Sequence, residues 1–222
     1  MNNEKNVGKP VEDVSTRIRR KPERLTEILA AAFEEFVLHG YTATRLEDVA
    51  ARAGVTKGTI YFHFQNKENV FVHMVHELTA PMKLKSEEFL REASEDGIEF
   101  LRAYLRFAHD RIFNDRHARE ILRLMISEST RFPDLVDEHL GQFIEPVLSR
   151  ISTSLATAAR EGKVRNAPAI ECPDVIMSPI LALNIIVLIF ADRKALDPQL
   201  HLAAAEDLLL NGLLPRDGDS PS

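Results

Sequence analysis

Thr44-Arg45-Leu46-Glu47-Asp48-Val49-Ala50-Ala51-Arg52-Ala53-Gly54-Val55-Thr56-Lys57-Gly58-Thr59-Ile60-Tyr61-Phe62-His63 decides how the rest of the chain is read. Leu46, Val49, Ala50 and Ala53 recur at helical spacing, and Thr44 and Glu47 stand at the interval of a capping box, so a short helix is expected from Thr44. Gly54 ends it and Thr56 caps a second short helix. Ala50, Gly54 and Ile60 supply the small residue, the turn residue and the buried aliphatic that a helix-turn-helix needs. Gly58, in the first turn of the second helix, is unfavourable by about 1 kcal/mol relative to Ala. A missing side chain there lets the backbone approach another surface closely, and its neighbours suit the major groove of DNA. Lys57 can donate to guanine O6 or N7, and Thr59 can touch a thymine methyl or a base edge. Tyr61 and His63, farther along, are in reach of phosphate oxygens. Thr44, with the open N–H groups of its helix terminus, and Lys67, at the start of the next helix, read as phosphate holders that orient without specifying sequence.

With its flanks, this segment runs Gly40-Tyr41-Thr42-Ala43-Thr44-Arg45-Leu46-Glu47-Asp48-Val49-Ala50, then Ala53-Gly54-Val55-Thr56-Lys57-Gly58-Thr59-Ile60-Tyr61-Phe62-His63-Phe64 and Lys67-Glu68. It closely resembles the N-terminal DNA-binding domain of the TetR family. The resemblance implies an all-helical, homodimeric transcriptional regulator, as a rule a repressor released by a small ligand. Arg45 departs from the Ser or Thr the family often has there, and adds a positive charge near the DNA backbone. Farther on, Glu128-Ser129-Thr130-Arg131-Phe132-Pro133-Asp134-Leu135 is similar to the E-x-x-R-F-P segment of the subgroup named for the repressor AefR.

Outward from the motif the helical period dominates. Leu25, Ile28, Leu29, Ala32, Phe33, Phe36 and Val37 share one face of a helix expected from Pro22 to a stop at His39-Gly40. Asn66 caps a helix carrying Val70, Phe71, Met74, Val75 and Leu78, which Pro81 bends before about residue 92. Further helices are expected from Ser94, over 117–131, over 134–161 with a kink at Pro146, over 174–191, and from Asp197-Pro198 to near Leu214. The expected fold class is all-α, an N-terminal three-helix helix-turn-helix domain plus a larger helical domain, to which the TetR resemblance assigns ligand binding and dimerisation. The expected divisions are a polar tail at 1–16, the DNA-binding domain at 17–66, the regulatory body at 67–214 and a second tail at 215–222.

Composition agrees with a soluble globular chain of 222 residues, 45% hydrophobic and 28% charged. The net charge of -6 hides a split: Arg17 to Lys67 holds nine Lys and Arg against six Asp and Glu, Glu68 to Ser222 seventeen against twenty-five. A basic head on an acidic body points to an anionic partner at one end. One cysteine, Cys172, precludes an intramolecular disulfide, and its sequence surroundings give no cationic neighbour that would make it a redox sensor. The apolar run from Ile176 to Ala191, interrupted by Ser178, Pro179 and Asn184, falls short of the roughly 18 residues of a membrane span. A cytoplasmic address is expected, with no membrane partner and no cofactor.

Three function classes compete. The regulator reading takes double-stranded operator DNA and a small apolar effector as partners, with Phe71, Met74, Leu78, Phe100, Tyr104, Phe107 and Met125 as the candidate cavity lining; plain core packing is the alternative for each. In that reading the helix carrying Phe71 and Leu78 links cavity to head. The helices at 134–161 and 174–191 are expected to pair across a two-fold axis through Val147, Ile151, Leu155, Ala158, Leu183, Ile186 and Phe190, giving a four-helix bundle and two recognition helices for a palindromic site. A metal-binding protein or metalloenzyme would use His73 and His76 with a carboxylate from elsewhere, but accounts for the histidines alone. A helical adaptor explains the acidic body and not Gly58. No activated nucleophile or phosphate-cradling glycine loop argues for an enzyme.

Overall fold

The computed structural model describes residues 14–165, 168–191, 193 and 195–214, with side chains from Glu23 onward. Every element among these residues is helical. Residues 1–13 of the expected N-terminal tail and the whole of 215–222 lie outside the described set.

The head unit extends to Glu77. Helix α1 runs Val14–Ala43, beginning eight residues before the expected start at Pro22; Arg17, Arg19, Arg20 and Lys21 are good helix formers and extend it. Near its end the helical geometry breaks at Gly40, where the stop was expected. Helices α2, Leu46–Arg52, and α3, Lys57–His63, follow. Their joint is a full Schellman turn: Gly54 N–H donates to Ala51 O (3.2 Å) and Val55 N–H to Ala50 O (2.9 Å), with Gly54 at φ 64°. A residue with a Cβ is strained at that φ, so Gly54 fixes the angle at which α3 leaves α2. The helices close on Ile28, Ala32, Phe33, Phe36, Val49, Ile60, Val70 and Met74, all at most 1% exposed. Phe71 stands edge-on to both Phe36 (5.1 Å) and Tyr41 (5.3 Å).

Helix α4, Lys67–Glu92, is capped by Asn66, whose Oδ1 accepts from Asn69 N–H at 2.8 Å. The division between units falls inside it, after Glu77, rather than before Lys67. The reason is the burial of Val70, Phe71 and Met74, which makes the first part of α4 a wall of the head core.

In the body, α5 (Gly97–Asn114) is the central element, packed by α6 (Arg116–Glu128), α8 (Glu145–Arg160), α10 (Asp174–Phe190) and α11 (Pro198–Leu213). Asp96, two residues beyond the expected Ser94, caps α5 by accepting from Ile98 and Glu99 N–H. Gly97 then meets α8: a Cβ built on it would lie 2.6 Å from Ser154 O, so only glycine permits this approach. The helix expected over 134–161 is two, α7 (Pro133–His139) and α8, joined by a π-helical turn at Leu140–Ile144. Pro146 has no N–H to give the preceding turn, and the wider turn accommodates that loss. A short α9, Pro168–Glu171, was not foreseen. The last helix, α11, begins at Pro198 as expected, capped by Asp197, and Cys172 is exposed between α9 and α10.

Candidate nucleic-acid interface and body cavity

In the head, α3 is seated by Ile60, fully buried, and Phe64, which leaves its opposite side facing outward. Thr56 caps it, its Oγ1 accepting from Thr59 N–H at 3.2 Å and lying 2.9 Å from the Thr59 hydroxyl. Lys57 and Gly58 are exposed, and Tyr61 is 48% exposed. A Cβ added at Gly58 would meet nothing nearer than Thr56 Oγ1 at 3.7 Å. The fold therefore has room for a side chain there. Lys57 pairs with Glu47 of α2, which holds the Glu47 carboxyl below its ordinary pKa and Lys57 above its own. Its ammonium also lies 5.5 Å from the centre of the Tyr61 ring.

Two of the residues read as phosphate holders have other partners. Thr44 is 2% exposed, its hydroxyl directed to Gly40 O (2.7 Å) and Glu35 O (3.0 Å) at the end of α1. The N-cap of α2 is Arg45, exposed and in extended backbone, so the expected Thr44–Glu47 capping box does not form. Lys67 Nζ donates to Tyr41 O (2.8 Å), Thr44 O (3.0 Å) and Thr42 O (3.1 Å) and lies 4.5 Å from the centre of the Tyr41 ring. An ammonium has three hydrogens, and three carbonyls use them. Both side chains thus satisfy backbone carbonyls around the end of α1 and the turn that follows it. A third tie is the buried Glu35, which accepts from Arg52 Nε at 2.6 Å and joins α1 to α2.

The body holds a cavity of about 220 Å³ whose lining is mostly apolar. Tyr104 and Phe107 of α5 line it; Met82 and Ser86 come from α4, His139 and Phe143 from α7 and the π turn, and Ile180 and Asn184 from α10. Arg111 lies there with its pKa lowered by burial. His139, stacked on Phe143 at 4.7 Å, is lowered by burial and by the charge of Arg111. Burial also raises the Tyr104 phenol well above its ordinary value.

Against this geometry, residues 28–74 match the model of bacterial regulatory proteins of the tetR family. The HTH-type transcriptional regulator YhgD of Bacillus subtilis (strain 168) is 30% identical over 144 residues, covering 64% of this chain and 73% of that protein. The chain belongs to the TetR family. Residues 98–169 of this TetR-family regulator match the C-terminal domain described as that of AefR-like transcriptional repressors. A transcriptional regulator from Saccharomonospora viridis in complex with choline has a TM-score of 0.71 at 20% identity, covering 88% of this chain and all of that one. FadR from Bacillus subtilis in complex with stearoyl-CoA has 0.65 at 22%, covering 84% and 98%. At those identities the likeness is one of fold.

Within this TetR frame several sequence expectations change place. Phe71 and Met74 belong to the head core and do not line the cavity. Phe100 packs on Phe89 at 5.9 Å and under Arg150, Met125 is buried outside the lining, and Leu78 is half-buried and also outside it. Val147, Ile151, Leu155 and Ala158 are consumed in the core of one chain, at most 7% exposed, because α8 turns that stripe onto α5. Leu183 is fully buried, Ile186 half-buried and Phe190 41% exposed. The outward apolar residues are instead Leu181, Ile185 and Ile189 on α10 and Leu200 and Leu208 on α11. His73 and His76 are exposed, and His73 lies 2.8 Å from Asn69 O. Among the described residues no group of three His, Cys, Asp or Glu could hold a metal ion, and the metalloprotein reading gains no support. No described helix is long and apolar enough to cross a membrane. Arg111, His139 and Asn184 went unnoticed as cavity residues; the one signal was Asn184, a lone amide in an apolar helix.

Proposed function

We propose that this TetR-family chain is a homodimeric repressor that binds a palindromic operator in the cytoplasm and is released by a small, largely apolar effector, with no catalytic step. The observation that carries the DNA reading is α3: a firmly seated helix with Lys57, Thr59 and Tyr61 about a glycine whose vacancy the fold itself does not require. Lys57 and Thr59 are assigned to base edges, and Arg45, Tyr61 and His63 to the backbone. Lys57 exchanges Glu47 for a guanine edge on binding. The apolar faces of α10 and α11 favour a dimer built on two helices from each chain, which brings two short recognition helices to half-sites about 34–36 Å apart, or a multiple. Helix α4 contributes Phe71 and Met74 to the head core and Met82 and Ser86 to the cavity, so a ligand that displaces its second half acts on the helix that completes the head. A coupling of about 1–3 kcal/mol changes operator affinity roughly 5–150-fold.

Fluorescence anisotropy on labelled DNA from upstream of the chain's own gene tests the reading, with scrambled DNA as competitor. Specific binding that Lys57→Ala both weakens and broadens in sequence preference is expected. Equal affinity for operator and scrambled DNA would refute it.

A further inference from the structure

The body cavity has polar groups that a purely apolar effector leaves unanswered. Arg111 lines it from α5, half-buried. Its Nη1 makes two long contacts, 3.4 Å each, to Met82 O and Ser86 Oγ. Among the described residues no carboxylate stands at ion-pair distance from it. Asp115, the carboxylate whose charge reaches it, caps α6 by accepting from Ala118 N–H at 3.0 Å. The guanidinium carbon lies 5.6 Å from the centre of the Phe107 ring, and Phe107 stacks on Phe89 at 4.5 Å. The side chain is therefore braced against Phe107, which Phe89 backs. Burial works against its charge, yet arginine remains ionised in proteins. A partly buried cation without a counter-ion is an arrangement that an anion relieves. His139, held toward its neutral form by burial and by Arg111, offers a hydrogen bond rather than a second charge. Independently, Asn184 on α10 lines the same cavity, 7% exposed, and its buried Oδ1 has no hydrogen-bond partner. Buried polar atoms are satisfied in the great majority of cases, so an orphaned acceptor facing a cavity calls for a donor from outside the chain.

We propose that the cavity takes a small amphipathic carboxylate, with its anionic head on Arg111, its apolar body against Phe107, Ile121 and Ile180, and a hydroxyl or N–H donor opposite Asn184 Oδ1. The proposal rests on the effector reading above and narrows the class of ligand. At about 220 Å³ the space is below the ~300–1,000 Å³ common for drug-sized ligands. A single-ring or medium-chain acid fits that volume better than a long acyl chain.

Calorimetric titration of the full chain at neutral pH tests this with octanoate, 3-phenylpropanoate and 3-(4-hydroxyphenyl)propanoate, each beside its methyl ester. The acids are expected to bind about tenfold or more tighter than the esters, the hydroxylated acid tightest. Arg111→Gln erases the margin of acid over ester and leaves ester affinity in place, and Arg111→Lys restores part of it. Asn184→Leu removes the hydroxyl margin alone. Removing an uncompensated charge is expected to leave the fold intact, and melting curves on each variant separate folding from recognition. Equal binding of acids and esters, or a margin that survives Arg111→Gln, overturns the proposal. If those esters also release the operator, the effector reading stands without the carboxylate. If neither acids nor esters bind, and neither displaces an apolar fluorescent dye, both readings fall.

Discussion

Gly58→Ala separates what the fold asks of α3 from what its partner asks. The new methyl would contact Thr56 Oγ1 at 3.7 Å and nothing closer, which is ordinary van der Waals distance. Alanine is the better helix former by about 1 kcal/mol in a helix interior, and somewhat less in the first turn, where this residue lies. The variant should therefore gain about 0.5–1 kcal/mol, which raises the melting of a small head unit by roughly 2–8 °C. DNA binding should move the other way. On the proposed docking, a methyl where the backbone meets the groove wall would push Lys57 and Thr59 off their base edges, and one lost base contact is worth about 1–3 kcal/mol, or roughly 5–150-fold in affinity. Scanning fluorimetry of the head transition and anisotropy on operator DNA read the two effects on one sample. A variant that is more stable and binds unchanged would show that no close approach occurs at Gly58. A variant that is less stable would show that the glycine serves the fold after all.

Lys67→Ala should destabilise the head by about 1.5–3 kcal/mol, because it removes the charged donor that joins the Tyr41, Thr42 and Thr44 carbonyls around the end of α1; a slope of log affinity against log salt reduced by about one unit at unchanged melting temperature would restore the phosphate role. Gly97→Ala should be severely destabilising, since its Cβ would stand 2.6 Å from the Ser154 carbonyl; an unchanged body transition would show that α5 and α8 separate at little cost. Acidification should weaken the body. His109, His139 and His201 all have pKa values lowered chiefly by burial, with the His201 charge adding to the effect on His109 and Asp110 opposing it. The unfolded chain then binds more protons than the folded one, so stability is full above about pH 6.5 and is lost as pH falls through the lowered folded values. Melting curves across pH 5–8 check this, and His109→Gln should flatten the slope; a rise in melting temperature on acidification would contradict it.

The helix-turn-helix was legible because its determinants are local. Gly54, Thr56 and Ile60 act within a few residues of their own positions, and spacing alone exposes them. Thr44 misled for the same reason: its interval to Glu47 fits a capping box, but its hydroxyl is claimed by Gly40 and Glu35 of the preceding helix. Helical period says that Val147, Ile151, Leu155 and Ala158 face inward, not whether α5 or a second chain covers them. The same holds for Phe71 and Phe107, alike in sequence and assigned by the fold to a head core and a cavity. Arg111 was illegible because its significance lies in a carboxylate that is not beside it, which no pattern within α5 can display.

The π-helical turn at Leu140–Ile144 brings Phe143 and Ile144 to the cavity, with His139 just before it and Val147 just after. Such a turn amounts to one residue inserted into a helix, and here the surplus is absorbed before α8 begins. The stripe from Val147 to Ala158 keeps its seating on α5 whatever side chains the turn presents. On the proposed effector reading, selection for a new ligand has a stretch of wall it can rewrite by substitution while neighbouring residues hold the body together, whereas deleting a single residue from the turn would rotate that wall about 100° around the helix axis relative to α8.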